Sequence, residues 1–180
     1  MALAANGGVA SASSVYSPNY AASGAINGDR RGLNFGFGGG WNDGTPNAYP
    51  DWLQVDFNGT KVIQEVNVFS MQDNYGSPAE PTPAMTFTSF GLRAFQVQYW
   101  NGTSWVDVPG GAVTNNNLVW KQFLFTPVTT SKIRILITGA LNGYSRVTEV
   151  EAWGANAPAP APAPAQPSAN QTSAGTGGGD

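Results

Sequence analysis

Hydrophobic residues recur in short runs along residues 1–154, separated by turn-forming residues. Residues 52–57 and 95–99 alternate between apolar and polar side chains, and residues 62–69 and 133–137 are rich in Val and Ile. No helical periodicity of 3.6 residues persists over ten residues anywhere in the chain. Alternating and β-branched runs of this length are typical of β-strands. The pattern therefore predicts an all-β domain.

Two Asn-Gly pairs, Asn58-Gly59 and Asn101-Gly102, each stand between neighbouring hydrophobic runs. Both residue types tolerate a positive φ, so the pair favours the type I′ turn of a β-hairpin. Short strands at regular spacing, joined by such turns, are typical of antiparallel sandwiches and barrels. We therefore expect a hairpin at each pair.

Two long segments, residues 27–50 and 70–93, interrupt the strand pattern and are rich in glycine, proline, polar and aromatic residues. Long ordered loops in a compact domain are usually functional, and binding residues often lie on loops of a rigid scaffold. These two segments are therefore the first place to expect a binding site.

The composition changes sharply after Gly154. Residues 155–180 contain an Ala-Pro repeat followed by a Gly-, Ser- and Thr-rich end, with no aromatic residue and no aliphatic residue larger than alanine. Such a stretch cannot bury a core, and Ala-Pro repeats favour extended spacers. The sequence predicts a disordered linker to a further domain, and a dispensable tail is the alternative.

The charge composition excludes several classes of function. The 180 residues include 8 Lys and Arg, 11 Asp and Glu, no His and no Cys, for a net charge of −3. Without His or Cys there is no disulfide, no thiolate metal site and no Ser-His-Asp or Cys-His arrangement. A hard cation bound by oxygen atoms remains possible. The few scattered cations argue against nucleic-acid binding.

The sequence carries no signal for a membrane or for export. No apolar run approaches the ~20 residues that a membrane-spanning helix needs. The first residues have neither the basic region nor the apolar region of a signal peptide. The chain is thus expected to be either cytoplasmic or the mature part of an exported protein.

Seven short motifs follow one another in an order that is informative as a set. They are residues 25–29, Trp41, and residues 50–57, 66–69, 95–105, 132–135 and 147–154. This series resembles the discoidin domain, also called the coagulation-factor type C domain, of the galactose-binding-like superfamily. The family includes many bacterial carbohydrate-binding modules. The resemblance covers residues 5–154 and implies an eight-stranded antiparallel jelly-roll sandwich with ligand loops at one end.

The resemblance also implies a structural Ca²⁺ site between a loop and the last strand. The matching oxygen donors are Gly24, Asn27, Asp29 and Gly32 from the loop, and Thr148 and Glu149 from the strand. Calcium accepts six to eight carboxylate and carbonyl oxygens. The family's usual Asp is Asn27 here, and an arginine pair follows it, so the site carries less negative charge. In the alternative interpretation Asn27-Gly28 is only a turn, and Glu149 pairs with Arg134 or Arg146.

A sugar site at the loop end is the second implication of the resemblance. In such a site an aromatic ring stacks on the apolar face of the sugar, and planar polar side chains hold its hydroxyls. The candidate contacts are Phe35, Trp41, Asp43, Tyr49, Asp73, Asn74, Tyr75, Tyr144 and Arg146. Sugar-binding relatives commonly use a His and an Arg, and this chain has no His. Core packing is the alternative for each aromatic, and we favour it for Trp41.

These observations predict a non-catalytic carbohydrate-binding module, accessory to an extracellular or cell-surface bacterial enzyme or adhesin. Its partners would be a glycan or polysaccharide and the domain beyond the linker, since tethering raises local concentration. The nearest carboxylate pairs lie within single strands and offer no glycosidase cleft. The absence of a basic cluster argues against a lipid membrane.

Two alternatives remain open at this stage. One is a protein or phospholipid adhesion domain with apolar contacts at the loop end. Its candidate contacts are Phe35, Phe37, Met85, Phe87 and Phe90. The other is a structural domain of a larger assembly that binds no ligand.

Overall fold

The computed structural model describes residues 1–156. The predicted linker, residues 155–180, lies outside these described residues apart from its first two, whose backbone continues the last strand. Its disorder and its role as a tether therefore stay predictions.

The described residues form seven β-strands and four short 3-10 turns. The strands are β1 (Val9–Ala12), β2 (Trp41–Asn42), β3 (Asp51–Ser70), β4 (Leu92–Trp100), β5 (Trp105–Val113), β6 (Trp120–Ala140) and β7 (Arg146–Asn156). The 3-10 turns are Ala4–Asn6, Pro18–Tyr20, Ala22–Ile26 and Leu141–Gly143. The strand order is β2-β7-β3-β6-β4-β5, and β1 also pairs with β3. Every one of these pairings is antiparallel, which confirms the all-β antiparallel prediction.

Two strands are much longer than the sequence pattern predicted. β3 runs for 20 residues and β6 for 21. Their mutual register shifts between Asp56 and Lys61, and again between Ile63 and Glu65. The described residues therefore form seven strands, whereas eight were expected. The number is lower because β3 and β6 each continue through an irregularity at which a shorter strand was predicted to end.

The predicted hairpin at Asn58-Gly59 is wrong. Residues 51–56 pair with residues 132–137 of β6, and residues 61–69 pair with residues 120–130 of the same strand. Both halves therefore run in one direction, and the Asn-Gly pair lies in an irregularity within β3. Gly59 supplies a positive φ of 75° there without reversing the chain.

The hairpin at Asn101-Gly102 is confirmed. Trp100 pairs with Trp105 across it, and the Asn101 amide donates to the Ser104 carbonyl at 3.1 Å. Gly102 has a φ of 104° and takes the first central position of the turn. The Asn101 side chain caps the turn instead of occupying its centre.

One hydrophobic core is formed by the buried faces of the strands, and it also includes residues that flank the long loop 27–40. Alternate residues of β3 and β6, including Leu53 and Ile135, are fully buried in it. Ile26, at the end of a 3-10 turn, and Trp41 of β2 join the same core. The long loop 27–40 is thus fixed at both ends. No helix among the described residues has the length and apolar character that crossing a bilayer requires.

Candidate functional site

An open cavity of about 270 Å³ lies at the end of the sandwich where β2 meets β7. Six aromatic rings, one amide, one thioether and one guanidinium line it. These residues are Tyr16, Tyr20, Phe35, Asn42, Met71, Tyr75, Phe90, Tyr144 and Arg146. We call this cavity the loop-end pocket. Four of the predicted ligand contacts meet there: Phe35, Tyr75, Tyr144 and Arg146.

A chain of edge-to-face ring contacts forms one wall of the loop-end pocket. The Tyr16 ring centroid lies 5.5 Å from that of Tyr20 and 5.6 Å from that of Tyr144, and Tyr20 lies 5.4 Å from Phe35. The backbone of Tyr16 is fixed next to β2, because its amide donates to the Asn42 carbonyl at 2.9 Å. At 57% exposure, Tyr16 leaves part of its ring free for a ligand.

Glycine allows Phe35 to fold back into this wall. A Cβ on Gly40 would lie 2.7 Å from the Phe35 ring, so only glycine fits beneath it. Gly36 has a φ of 89°, and a Cβ there would approach the Tyr20 hydroxyl to 3.0 Å. Phe37, two residues beyond Phe35, is not among the lining residues of the pocket and is 84% exposed.

The opposite wall consists of Tyr75 and Phe90, whose centroids lie 5.5 Å apart at a steep angle. Tyr75 is 51% exposed. Asp73 supports this wall without lining the pocket: its carboxylate accepts the Thr88 hydroxyl at 2.8 Å and the amides of Thr88 and Ser89 at 2.7 and 2.9 Å. Burial opposes ionisation of Asp73, but these hydrogen bonds outweigh it and hold its pKa below the usual value.

Arg146 lies between the two walls. Its guanidinium carbon is 5.4 Å from the Phe90 ring centroid and 5.1 Å from that of Tyr144. Only 8% of the residue is exposed. Its Nη1 donates to the carbonyls of Leu141 and Tyr144 at 3.4 Å, and it forms no ion pair with any described residue. Burial lowers its pKa, and the charge of nearby Asp43 partly offsets this.

Three other predicted ligand contacts, Trp41, Asp43 and Tyr49, are not among the lining residues of the loop-end pocket. Trp41 and Asp43 are both 0% exposed, so neither offers surface to a ligand. Trp41 Nε1 donates to a backbone carbonyl at 2.9 Å, and Asp43 accepts the Ser145 amide at 2.7 Å and the Thr45 amide at 2.8 Å. The Tyr49 hydroxyl accepts a backbone amide at 3.1 Å. These three residues act as framework because their polar atoms bind neighbouring backbone.

Asn74 belongs to the loop that carries Tyr75. Its side-chain amide donates to the Ser77 carbonyl at 2.9 Å, which closes a turn. Asn74 is not among the lining residues of the loop-end pocket. Its structural role is to fix the loop, as that of Asp73 is.

Three of the predicted calcium residues, Gly32, Thr148 and Glu149, lie where the loop contacts β7. Glu149 is 1% exposed, and its Oε2 accepts the Gly28 amide at 3.1 Å. The Thr148 hydroxyl donates to the Arg30 carbonyl at 3.1 Å. A Cβ on Gly32 would lie 2.4 Å from Thr148, so the loop and the strand are in tight contact. We call this region the Glu149 loop site.

The remaining predicted donors face other partners. The Asp29 carboxylate accepts Arg31 Nε at 2.9 Å and the Leu33 amide at 2.7 Å. The Asn27 side-chain oxygen accepts the Asp29 amide at 2.8 Å. Gly24 packs against the backbone of the long loop, since a Cβ there would lie 2.7 Å from the Gly40 nitrogen. Within residues 1–156, no three or more acidic side chains are grouped in a way that could hold a metal ion.

Glu149 and the neutral oxygens of the adjoining loop are donors of the kind that a hard cation accepts. Burial raises the pKa of Glu149 to about 8, which marks a carboxylate that lacks a compensating charge. Neither Arg134 nor Arg146 pairs with it among the described ion pairs. Arg30 instead binds Glu151 through two hydrogen bonds of 2.6 and 3.0 Å. A cation held by Glu149 and neutral oxygens of the loop would supply the missing charge.

Comparison with known sequences places the chain in a family. The sequence model of the F5/8 type C domain matches residues 9–150. The chain belongs to this family. The match confirms the discoidin resemblance carried by the seven sequence motifs. No curated protein matches the chain significantly.

Solved structures share the fold of this F5/8 type C domain at low sequence identity. A chitosan-binding module of a Paenibacillus sp. IK-5 chitosanase/glucanase, in complex with chitotriose, is 16% identical with a TM-score of 0.62, over 81% of this chain and 95% of that one. The family 32 carbohydrate-binding module of C. perfringens NanJ, in complex with galactose, is 20% identical with a TM-score of 0.58, over 81% and 92%. A Streptococcus pneumoniae fucose-binding module is 20% identical with a TM-score of 0.59, over 81% and 89%. These likenesses confirm the jelly-roll fold.

Sequence reasoning missed three lining residues of this F5/8 type C domain. Tyr16 and Tyr20 lie outside the two long loops in which a site was expected, whereas Met71 lies near the start of the second loop but was not singled out. The two tyrosines stand four residues apart in a Ser-, Pro- and Asn-rich stretch with no strand periodicity. Paired aromatics in a polar loop were an available signal. Met71 directly follows β3 and gave none.

Proposed function

We propose that this F5/8 type C domain is a carbohydrate-binding module and that the loop-end pocket holds a sugar. The observation that carries the proposal is one open pocket combining partly exposed rings with convergent polar groups. Tyr16 and Tyr75 offer surfaces to the apolar C–H face of a sugar. Asn42 and Arg146 supply hydrogen-bonding groups for hydroxyls or charged substituents. The chitotriose, galactose and fucose named for similar structures support a glycan as ligand.

The proposed role is binding without catalysis. A glycosidase places two carboxyl groups on either side of the scissile bond. Among the described residues that line the loop-end pocket there is no Asp or Glu. The domain would act as an accessory that concentrates a linked domain on a glycan outside the cell or at its surface. The composition of residues 155–180, which predicts a linker, supports such an arrangement.

A glycan array tests the proposal on the full 180-residue chain. We expect binding to a coherent set of glycans, and loss of that binding in Tyr75→Ala and Tyr144→Ala. Phe37→Ala is the matched control, because Phe37 is an exposed aromatic of the same end that lines no part of the pocket. A blank array from a folded sample would refute the proposal.

Adhesion through apolar contacts is the second candidate function, and the 84% exposure of Phe37 favours it. The other proposed contacts support it less. Phe87 is 3% exposed, and Phe35 and Phe90 line the loop-end pocket. Co-sedimentation with phosphatidylserine vesicles would detect such a function. If binding to vesicles is abolished by Phe37→Ala and sugars do not compete, adhesion replaces the sugar proposal.

We also propose that the Glu149 loop site binds a structural Ca²⁺. A ligand that binds only the folded state raises its stability. We expect added Ca²⁺ to raise the melting temperature and a chelator to reverse the change. Glu149→Gln should abolish the response, whereas Glu65→Gln on β3, away from this loop, should keep it. An unchanged melting temperature of the unsubstituted protein would refute this proposal.

A further inference from the structure

We propose that the loop-end pocket selects sugars that bear a carboxylate, through the buried guanidinium of Arg146. This inference rests on the proposed glycan-binding function and specifies the chemical class of sugar. It concerns the charge of the ligand, which neither the family nor the fold determines.

Arg146 is the one cation among the described lining residues, and it is poorly satisfied by the protein. It is 92% removed from solvent, given its exposure of 8%. Its described hydrogen bonds involve Nη1 alone and are long, at 3.4 Å. Among the described residues, every fully buried side-chain nitrogen has a hydrogen-bond partner. Nε and Nη2 of Arg146 have no such partner, so these two atoms are not fully buried and adjoin open space. The open space beside Arg146 is the loop-end pocket.

No carboxylate within residues 1–156 forms an ion pair with this cation. The acidic group that affects it most is Asp43, which makes no ion pair with it. Both oxygens of Asp43 are occupied, by the Ser145 amide at 2.7 Å and the Thr45 amide at 2.8 Å. The pocket therefore presents one largely desolvated positive charge and no negative charge among its described lining residues.

The rings beside Arg146 make the guanidinium suitable for a carboxylate. Phe90 and Tyr144 lie 5.4 and 5.1 Å from its central carbon and limit its motion. A guanidinium presents paired N–H donors in a plane that matches the two oxygens of a carboxylate. Such charge-assisted bonds are about twice as strong as those to neutral hydroxyls.

The same charge disfavours cationic sugars. An ammonium group in this pocket would meet Arg146 with no described lining carboxylate to receive it. Like charges brought together in a partly desolvated site repel each other strongly. We therefore expect glucosamine oligomers to bind poorly, although a chitosan-binding module shares the fold.

Matched acids and esters test this inference on the full chain by titration calorimetry. The probes are methyl galacturonoside, methyl glucuronoside and N-acetylneuraminic acid, each against its methyl ester, with methyl galactoside as the neutral sugar. We expect at least one acid to bind about tenfold more tightly than its ester, because a charge-assisted pair replaces a neutral bond. The preference should shrink as salt is added.

Two variants locate the preference. Arg146→Gln should remove the difference between acid and ester while keeping weak binding, and Arg146→Lys should keep part of it. The control is Arg93→Gln, since Arg93 is a cation of β4 that does not line the pocket. Melting curves establish that each variant is folded. If Arg146→Gln does not fold, the acid–ester comparison on the unsubstituted protein still decides the matter.

The outcomes separate this inference from the function on which it rests. Equal binding of acid and ester, or binding of galactoside alone, overturns the preference for a carboxylate and leaves the carbohydrate-binding proposal standing. An acid preference that persists in folded Arg146→Gln overturns the role of Arg146. No binding by these probes or by a full glycan array overturns both proposals.

Discussion

Replacing Tyr16 by alanine is expected to weaken glycan binding about tenfold while the domain stays folded. Tyr16 makes two of the ring contacts in its wall, edge-to-face with Tyr20 at 5.5 Å and with Tyr144 at 5.6 Å. Each such contact is worth about 0.5–1.5 kcal/mol. The variant would lose a ring–sugar contact of similar value, about 1.4 kcal/mol. A loss of this size raises the Kd for the glycan about tenfold.

The expected cost to stability is smaller than the two ring contacts suggest. Tyr16 is 57% exposed, so its contacts lie at the lower end of the range and sum to about 1 kcal/mol. For a domain of this size, that loss lowers Tm by about 2–4 °C. The binding defect should therefore appear at temperatures where the variant is fully folded.

The assay pairs titration calorimetry with a thermal melt for three variants. Tyr16→Phe keeps the ring and should bind nearly as the unsubstituted protein does. Phe37→Ala removes a more exposed ring, at 84%, outside the loop-end pocket and should also bind normally. Unchanged affinity in Tyr16→Ala, or an equal loss in Phe37→Ala, would refute the assignment of the pocket.

Three further predictions concern the elements that support the site. Gly40→Ala places a Cβ 2.7 Å from the Phe35 ring and should lower both glycan affinity and Tm. Gly76→Ala, which has open space around its Cβ, should change neither, and equal effects of the two variants would contradict this prediction. Arg30→Met removes a bidentate ion pair and two cation–π contacts. It should lower the free energy of unfolding, measured by denaturant titration, by about 2 kcal/mol. A change near zero would show that these contacts do not stabilise the domain. The pKa of Asp73 is depressed in the folded state, so its contribution to stability is present above the ordinary carboxyl pKa and is lost as pH falls through the depressed value. Between pH 5 and pH 2 the unsubstituted protein should therefore lose more stability than Asp73→Asn, and parallel pH profiles would contradict this.

The fold was predictable because its information is local and repeated. Alternation at Leu53, Val55 and Phe57 reports a strand with one buried face, and the structure buries all three. The Asn-Gly signal predicted a hairpin at both Asn101-Gly102 and Asn58-Gly59. The first prediction is confirmed and the second is wrong. The difference lies in the partner strand: β6 continues alongside both halves of β3, and no local pattern specifies that pairing.

The candidate site was only partly predictable because burial depends on distant neighbours. Trp41 and Tyr75 both stand among polar loop residues in the sequence. The pairing of Trp41 with Val147 of β7 places the first in the core, while Tyr75 stays on the surface. A backbone hydrogen bond to Asn42 places Tyr16 beside the pocket. This contact spans 26 positions in the sequence, and sequence patterns do not reveal it.

Mapping the bound glycan on the protein is the most direct test of the central claim. The measurement is an NMR titration of the isotopically labelled full chain with the glycan that the array selects. We expect shift changes at Tyr16, Tyr75, Tyr144 and Arg146, with little change around Phe37. Changes that cluster at Phe37, or on the β4–β5 hairpin, would contradict the account, because the sugar would then bind outside the loop-end pocket.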